Sequence, residues 1–186
     1  QREPNYNPDI RPVSFDVSEV DRATRFNHRS GVIWMTGLSG SGKSTIAKEV
    51  ERKLFLKRFN VFILDGDNLR MGLNKGLTFS PEDRTENIRR TSEVAKLFTD
   101  AGFIVIVSLT SPYRSERKKA RDIKPEYFRE IYVKASLEEC IKRDVKGLYA
   151  KAMRSEINDF TGISSPYEEP VNPDLTLNTE KEKIED

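Results

Sequence analysis

The chain has one cysteine, one histidine and one tryptophan in 186 residues. A single thiol, Cys140, cannot close an internal disulfide, so the fold must rest on its core, and a reducing compartment suits it. Cys140 follows Glu138 and Glu139 in a helix-like stretch, where a structural thiol is expected rather than a nucleophile. With one imidazole in the chain, a Ser-His-Asp site is not expected, and His28 reads as a surface or capping residue. Charge of one sign is also lacking: 32 Lys and Arg against 30 Asp and Glu leave a net +2. There is no overall field of the kind that marks a nucleic-acid binder, and no nucleic-acid partner is expected. No apolar run approaches the roughly 20 residues of a membrane-spanning helix, so no membrane partner is expected either. The Pro- and Asn-rich start has no secretory apolar core, and the first residue is Gln, which fits a domain cut from a longer protein. The cytoplasm is the expected location, with organellar targeting left open.

Against this background, Gly37-Leu38-Ser39-Gly40-Ser41-Gly42-Lys43-Ser44-Thr45 stands out. It matches the phosphate-binding pattern GxxxxGK[ST] and directly follows a strand-like run, Val32 to Met35. The glycines let several backbone N–H groups converge on phosphate oxygens, Lys43 supplies a mobile positive charge, and the Ser44 hydroxyl is a magnesium ligand by type. Ser44 to Phe59 then reads as an amphipathic helix with Ile46, Ala47, Val50, Leu54 and Phe55 on its inner face. Its N-terminus would face the phosphates.

The length suits one domain. Gln1 to about Val17, with Pro4, Pro8 and Pro12, reads as an arm or linker, and residues 18–186 as the domain. Ser18 to His28 suggests a short helix capped by Ser18, with Val20, Ala23 and Phe26 inward. Candidate strands are Val32–Met35, Val61–Leu64, Phe103–Leu109, Glu130–Lys134 and Asp174–Leu177. Helical stretches at Glu86–Asp100, Tyr113–Arg121 and Leu137–Asp144 lie between them. Mostly apolar strands alternating with helices predict an α/β fold, a three-layer α/β/α domain of the P-loop NTPase type around a mostly parallel sheet. The long charged stretch Gly147–Glu169 reads as a lid or binding loop.

In such sheets ligands bind at the carboxyl ends of strands. The second strand ends in Asp65-Gly66-Asp67-Asn68, carboxylates suited to holding magnesium or taking a proton from a substrate hydroxyl; the alternative is an ordinary Asp-Gly surface turn. Arg70, Arg84, Arg89 and Arg90, interleaved with Phe79 and Asn87, form either a second anion site with a stacking aromatic or a solvated helix face. Ser111, at the end of the third strand, is a nucleophile or ligand contact in one reading. In the commoner reading it caps the next helix, with Pro112 at the first helical position. Arg143 to Tyr149 and Phe160 to Ile163 would together close over a nucleotide; taken singly they read as a charged helix and a buried Phe.

GLSGSGKST at 37–45, LDGDNLR at 64–70, FSPEDRTENIRR at 79–90, SPYR at 111–114, KGLY at 146–149 and FTGISSPYEEP at 160–170 together closely resemble the adenylylsulfate kinase family. The likeness runs from about Ser18 to the end, and the third and last of these segments are specific to that family. The resemblance implies transfer of the γ-phosphoryl of MgATP to the 3'-hydroxyl of adenosine 5'-phosphosulfate, giving 3'-phosphoadenylyl sulfate and ADP. It assigns ATP and Mg2+ to residues 37–45, with Ser44 and Asp65 at the metal, and the ATP adenine to Arg143. Asp65 acts at the reacting hydroxyl and Lys43 on the transferred group. Adenylylsulfate falls to Asp67, Arg70, Arg84, Asn87, Ile106, Ser108, Lys146 and Leu148, its adenine between Phe79 and Phe160. The family also names a phosphoserine at the position of Ser111, whereas in-line transfer needs only positioning and charge stabilisation. A homodimer and fusion to or association with ATP sulfurylase are further implications. A non-catalytic nucleotide-binding regulatory module and a small-metabolite kinase are the competing readings.

Overall fold

The computed structural model describes residues 9–182. The first eight residues of the expected arm, including Pro4 and Pro8, and residues 183–186 lie outside the described residues. Five strands, β1 (Gly31–Thr36), β2 (Val61–Asp65), β3 (Ile104–Ser108), β4 (Phe128–Lys134) and β5 (Leu175–Asn178), form one sheet in the order β2-β3-β1-β4-β5. Every pairing is parallel, with Gly31 opposite Ile104, Val61 opposite Ile104, Val32 opposite Phe128 and Ile131 opposite Leu175.

Strand alternation sends successive side chains to opposite faces, and the central strands β1 and β3 are mostly apolar because both faces are covered. On one face Val32, Trp34, Val105 and Val107 pack against Ile88 and Ala95 of α4 (Pro81–Asp100) and Ala120 of α5 (Arg114–Ile123). On the other, Met35, Ile106 and Val133 pack against Ala47, Ile46, Val50 and Leu54 of α2 (Lys43–Leu56). A smaller cluster of Ala135, Cys140, Tyr149, Ala152 and Phe160 joins α6 (Leu137–Arg143) to α7 (Leu148–Met153). Full burial of side chains such as these contributes roughly 1.5–3 kcal/mol each.

Several expectations need correction. α1 (Glu19–Phe26) has its Ser18 cap and a reciprocal bond from Asp21, but Val20 is exposed; Phe26 carries the docking, against Gly102. Phe55 also points outward, on the last turn of α2. α4 starts at Pro81, five residues earlier than expected, because Ser80 accepts from the Asp83 N–H and Pro81 suits the first helical position. Two short helices were not foreseen. α3 (Gly66–Met71) is capped by Asp65, and α7 takes the side chain of Asp144 on the N–H groups of Tyr149 and Ala150. Ser111 does not cap α5, whose cap position is Tyr113.

Candidate active site

The phosphate-binding loop leaves the end of β1, the central strand, flanked by β3 and β4. Its backbone reaches left-handed φ at Gly40 (77°) and Gly42 (101°), conformations open chiefly to glycine. Gly37 is needed for space, because a Cβ there would collide with the Val133 carbonyl. Lys43 is buried, and its Nζ donates to the Gly37 and Leu38 carbonyls at 2.9 and 2.7 Å. Burial pushes its pKa down to about 8, partly countered by the nearby Cys140 thiol and Asp65 carboxylate.

Ser44 donates to Asp65 Oδ2 at 2.7 Å and lies 3.3 Å from the Ser108 hydroxyl. Asp65 Oδ1 accepts from the Asp67 N–H at 3.0 Å, so one carboxylate both caps α3 and faces the loop. Ser44 and Asp65 are hard oxygen donors in contact, a pair that fits Mg2+ completed by phosphate and water oxygens. Among the described residues no cluster of three or more His, Cys, Asp or Glu forms an all-protein metal cage.

The loop opens onto a cavity of about 620 Å³, large enough for nucleotide-sized ligands. Ser39, Gly40, Gly42, Lys43, Ser44, Thr45 and Arg143 line it around the loop, with Asp65, Asp67 and Ser108 beside them. Arg70, Phe79, Arg84, Asn87, Lys146, Leu148 and Phe160 wall the far end. Gly37, Leu38 and Ser41 shape the loop without lining the cavity, and Leu38 faces a separate hollow beside Tyr132. Ile106 was expected against the substrate, yet its side chain is fully buried on the α2 face of the sheet and does not line the cavity. Two residues further on, and so on the same face of the sheet, Ser108 occupies the strand end and does line it.

The arginine array divides. Arg89 and Arg90 pair with Glu86, each at 2.7 Å, on the outer face of α4, where such pairs contribute about 0.2–1 kcal/mol. Arg70 and Arg84 turn inward, with guanidinium carbons 4.6 and 5.6 Å from the Phe79 ring centroid. Arg84 is buried. It donates to the Phe79 carbonyl and the Thr161 hydroxyl at 2.7 Å each and to the Asp159 carbonyl, tying the two aromatic walls together. Phe160 is buried edge-on against Tyr149, ring centroids 5.0 Å apart, and Tyr149 reaches the Ser39 carbonyl at 2.9 Å. Asn87 accepts from the fully buried Asn74 at 2.9 Å. Lys146 pairs with Asp67 across the mouth.

Ser111 has φ 39° and is buried; its Oγ accepts from the Trp34 indole at 3.1 Å. Its carbonyl is held by Arg117 at 2.7 Å, itself in a buried pair with Glu130. His28 is remote. Its Nε2 accepts from the N–H of Asn60, at the start of β2, the end of the sheet away from the loop.

Sequence reasoning missed Thr179, Asn178 and Leu177, all at the cavity wall. The one legible signal was the polar Asn178-Thr179-Glu180 closing the last strand, since strand ends form this site.

A parallel sheet with this loop at its central strand, a Ser–Asp oxygen pair beside a buried lysine, and one cavity reaching a second cationic end define a P-loop phosphotransferase. The family model for adenylylsulphate kinase matches residues 29–178, and the chain belongs to that family. It is 58% identical over 168 residues to the adenylyl-sulfate kinase of Prochlorococcus marinus, covering 90% of this chain and 83% of that one. Identity to the adenylyl-sulfate kinase of Lactiplantibacillus plantarum is 54% over 169 residues, 90% of this chain and 82% of that one. Among solved structures, the Mycobacterium tuberculosis APS kinase CysC in complex with AMPPNP and APS superposes with a TM-score of 0.81 at 50% identity. That match covers 84% of this chain and 91% of the other.

Proposed function

We propose that this chain transfers the γ-phosphoryl of MgATP to the 3'-hydroxyl of adenosine 5'-phosphosulfate, giving 3'-phosphoadenylyl sulfate and ADP. The observation that carries the reading is the single cavity with Asp65 between a phosphate-binding loop and an end walled by Arg70, Phe79, Arg84 and Asn87. The Mycobacterium tuberculosis relative, solved with an ATP analogue and APS together, supports two nucleotides in one such site.

Residues 37–45 take the ATP phosphates, with Lys43 leaving its carbonyl partners for the transferred group. Arg143 offers the ATP adenine its guanidinium face, because its edge is spent on Glu139, Gly40 and Thr179. Ser44 and Asp65 hold Mg2+, which when bound neutralises charge on the phosphates. Asp65 accepts the hydroxyl proton and orients the attacking oxygen. Arg70, Arg84, Asn87 and Lys146 take the phosphosulfate end, and Phe79 and Phe160 flank the adenine of the acceptor. Asp67, Ser108 and Leu148 complete that wall. Ser111 serves as wall rather than phosphoryl carrier, since its hydroxyl is held by Trp34 and, among the described residues, its other partner is the Leu109 carbonyl rather than a base.

Residues 18–186 act as one kinase domain preceded by the arm 1–17. The exposed apolar side chains of Phe55, Leu56, Phe62 and Leu97 support a homodimer. The buried free thiol Cys140 suits the cytoplasm, where ATP sulfurylase, fused or associated, would supply the substrate. ADP release from MgATP with and without adenylylsulfate, alongside chromatography of the product, tests the reading. ADP and 3'-phosphorylated product that require both substrates support it; ATP binding without product overturns it.

A further inference from the structure

We propose that Thr179 is a positioning residue for the phosphate-binding loop, acting through the peptide that joins Ser41 to Gly42. Thr179 follows β5 directly, and its N–H is fixed to the carbonyl of Lys134 at 3.0 Å. Its Oγ1 donates to the Ser41 carbonyl at 2.9 Å and accepts from Arg143 Nη1 at 3.0 Å. Arg143 Nη2 holds the Thr179 carbonyl at 2.9 Å, and Nη1 also reaches the Gly40 carbonyl at 3.3 Å. A hydroxyl has one proton. With Arg143 donating to Oγ1, that proton goes to Ser41, the nearer acceptor, since the Lys134 carbonyl stands at 3.4 Å.

A trans peptide is planar, with C=O and N–H pointing opposite ways. Drawing the Ser41 carbonyl toward Thr179 therefore turns the Gly42 N–H away from β5, toward the cavity that Gly42 lines. The Thr179 methyl backs the same turn, 3.5 Å from the point a Cβ on Gly42 would occupy. A converging backbone N–H is what this loop offers a phosphate, and its aim is set by a side chain 138 residues from Ser41. This inference rests on the ATP reading of the loop given above.

The test compares Thr179→Val, which keeps the shape and deletes the hydroxyl, with Thr179→Ser, which keeps the hydroxyl. Kd for MgATP and for inorganic tripolyphosphate, KM for adenylylsulfate, and thermal midpoints are measured on each. The valine variant is expected to bind MgATP and tripolyphosphate about tenfold more weakly, the scale of one lost hydrogen bond. Its KM for adenylylsulfate should hold within twofold, and serine should restore both affinities. Valine and serine behaving alike overturns the proposal. So does loss of MgATP affinity without loss of tripolyphosphate affinity, which would place Thr179 at the adenosine end. If the valine variant does not fold, Thr179→Ala takes its place under the same expectations. Failure of the unaltered protein to bind MgATP defeats the ATP reading itself; intact binding in both unaltered and valine proteins defeats only this inference.

Discussion

Burial that holds the Lys43 pKa at about 8 makes nucleotide binding a proton-uptake reaction. In the empty site the ammonium rests on two carbonyls, whereas bound phosphates would return it toward the ordinary lysine value of 10.5. Linkage then gives an uptake of about half a proton per MgATP at pH 8 and about 0.9 at pH 9. Affinity for MgATP should fall about tenfold between pH 7 and pH 9, since only the protonated empty form binds well. The nucleotide's own phosphates are fully ionised above pH 8 and do not contribute there. Stability runs the other way. The folded pKa lies below the unfolded one, so the unfolded chain holds more protons between about 8 and 10.5, and the empty fold gains stability as pH rises through that window. Titration calorimetry of MgATP at pH 8, in two buffers of different ionisation heat, reads the uptake directly. Heats that do not depend on buffer, with an affinity flat from pH 7 to 9, would refute the reasoning. Lys43→Arg, which stays charged throughout, should abolish the pH slope.

Asp65→Asn keeps a good helix cap for α3 while removing the base, and turnover should fall about 100- to 10,000-fold; MgATP affinity within severalfold of normal, by calorimetry, would separate chemistry from binding. Arg84→Ala removes the link between Phe79 and residues 159–161, so KM for adenylylsulfate should rise at least about tenfold and stability fall by about 2–3 kcal/mol. Steady-state kinetics and denaturant titration check both, and an unchanged KM would remove Arg84 from the substrate wall. If Ser111 is no phosphoryl carrier, initial-rate plots should intersect and no ATP–ADP exchange should occur without adenylylsulfate; parallel lines with exchange, the mark of a covalent intermediate, would restore that role.

The phosphate-binding loop and the sheet were legible because both are written in contiguous residues: glycines at fixed spacing, and short runs buried on two faces. α3 was hidden because Asp65-Gly66 is also a common turn pair, and only the contact from Asp65 Oδ1 to the Asp67 N–H reveals a cap. α7 has Gly147, φ 66°, at its cap position and borrows its capping side chain from Asp144, a pattern no simple cap position predicts. The start of α4 was written in Ser80-Pro81-Glu82-Asp83 and should have been read. Ile106 shows the opposite difficulty: it shares a strand face with Ser108 but sits two residues before the strand end, packed under α2 and out of reach of the cavity. The inward turn of Arg84, against the outward pairs of Arg89 and Arg90, depends on partners at Asp159 and Thr161, some 75 residues away. Thr179 is the extreme case, since its importance arises wholly from tertiary contact.

The Arg84 tie has a practical corollary. By clamping Asp159 and Thr161 directly to α4, it insulates Phe160 from whatever precedes it in the chain. Arg154, Ser155 and Glu156, all exposed and just past α7, thus become a permissive site for grafting. A small tag or fluorophore spliced beside Ser155 would sit clear of the cavity lining and leave in place the ring that borders it.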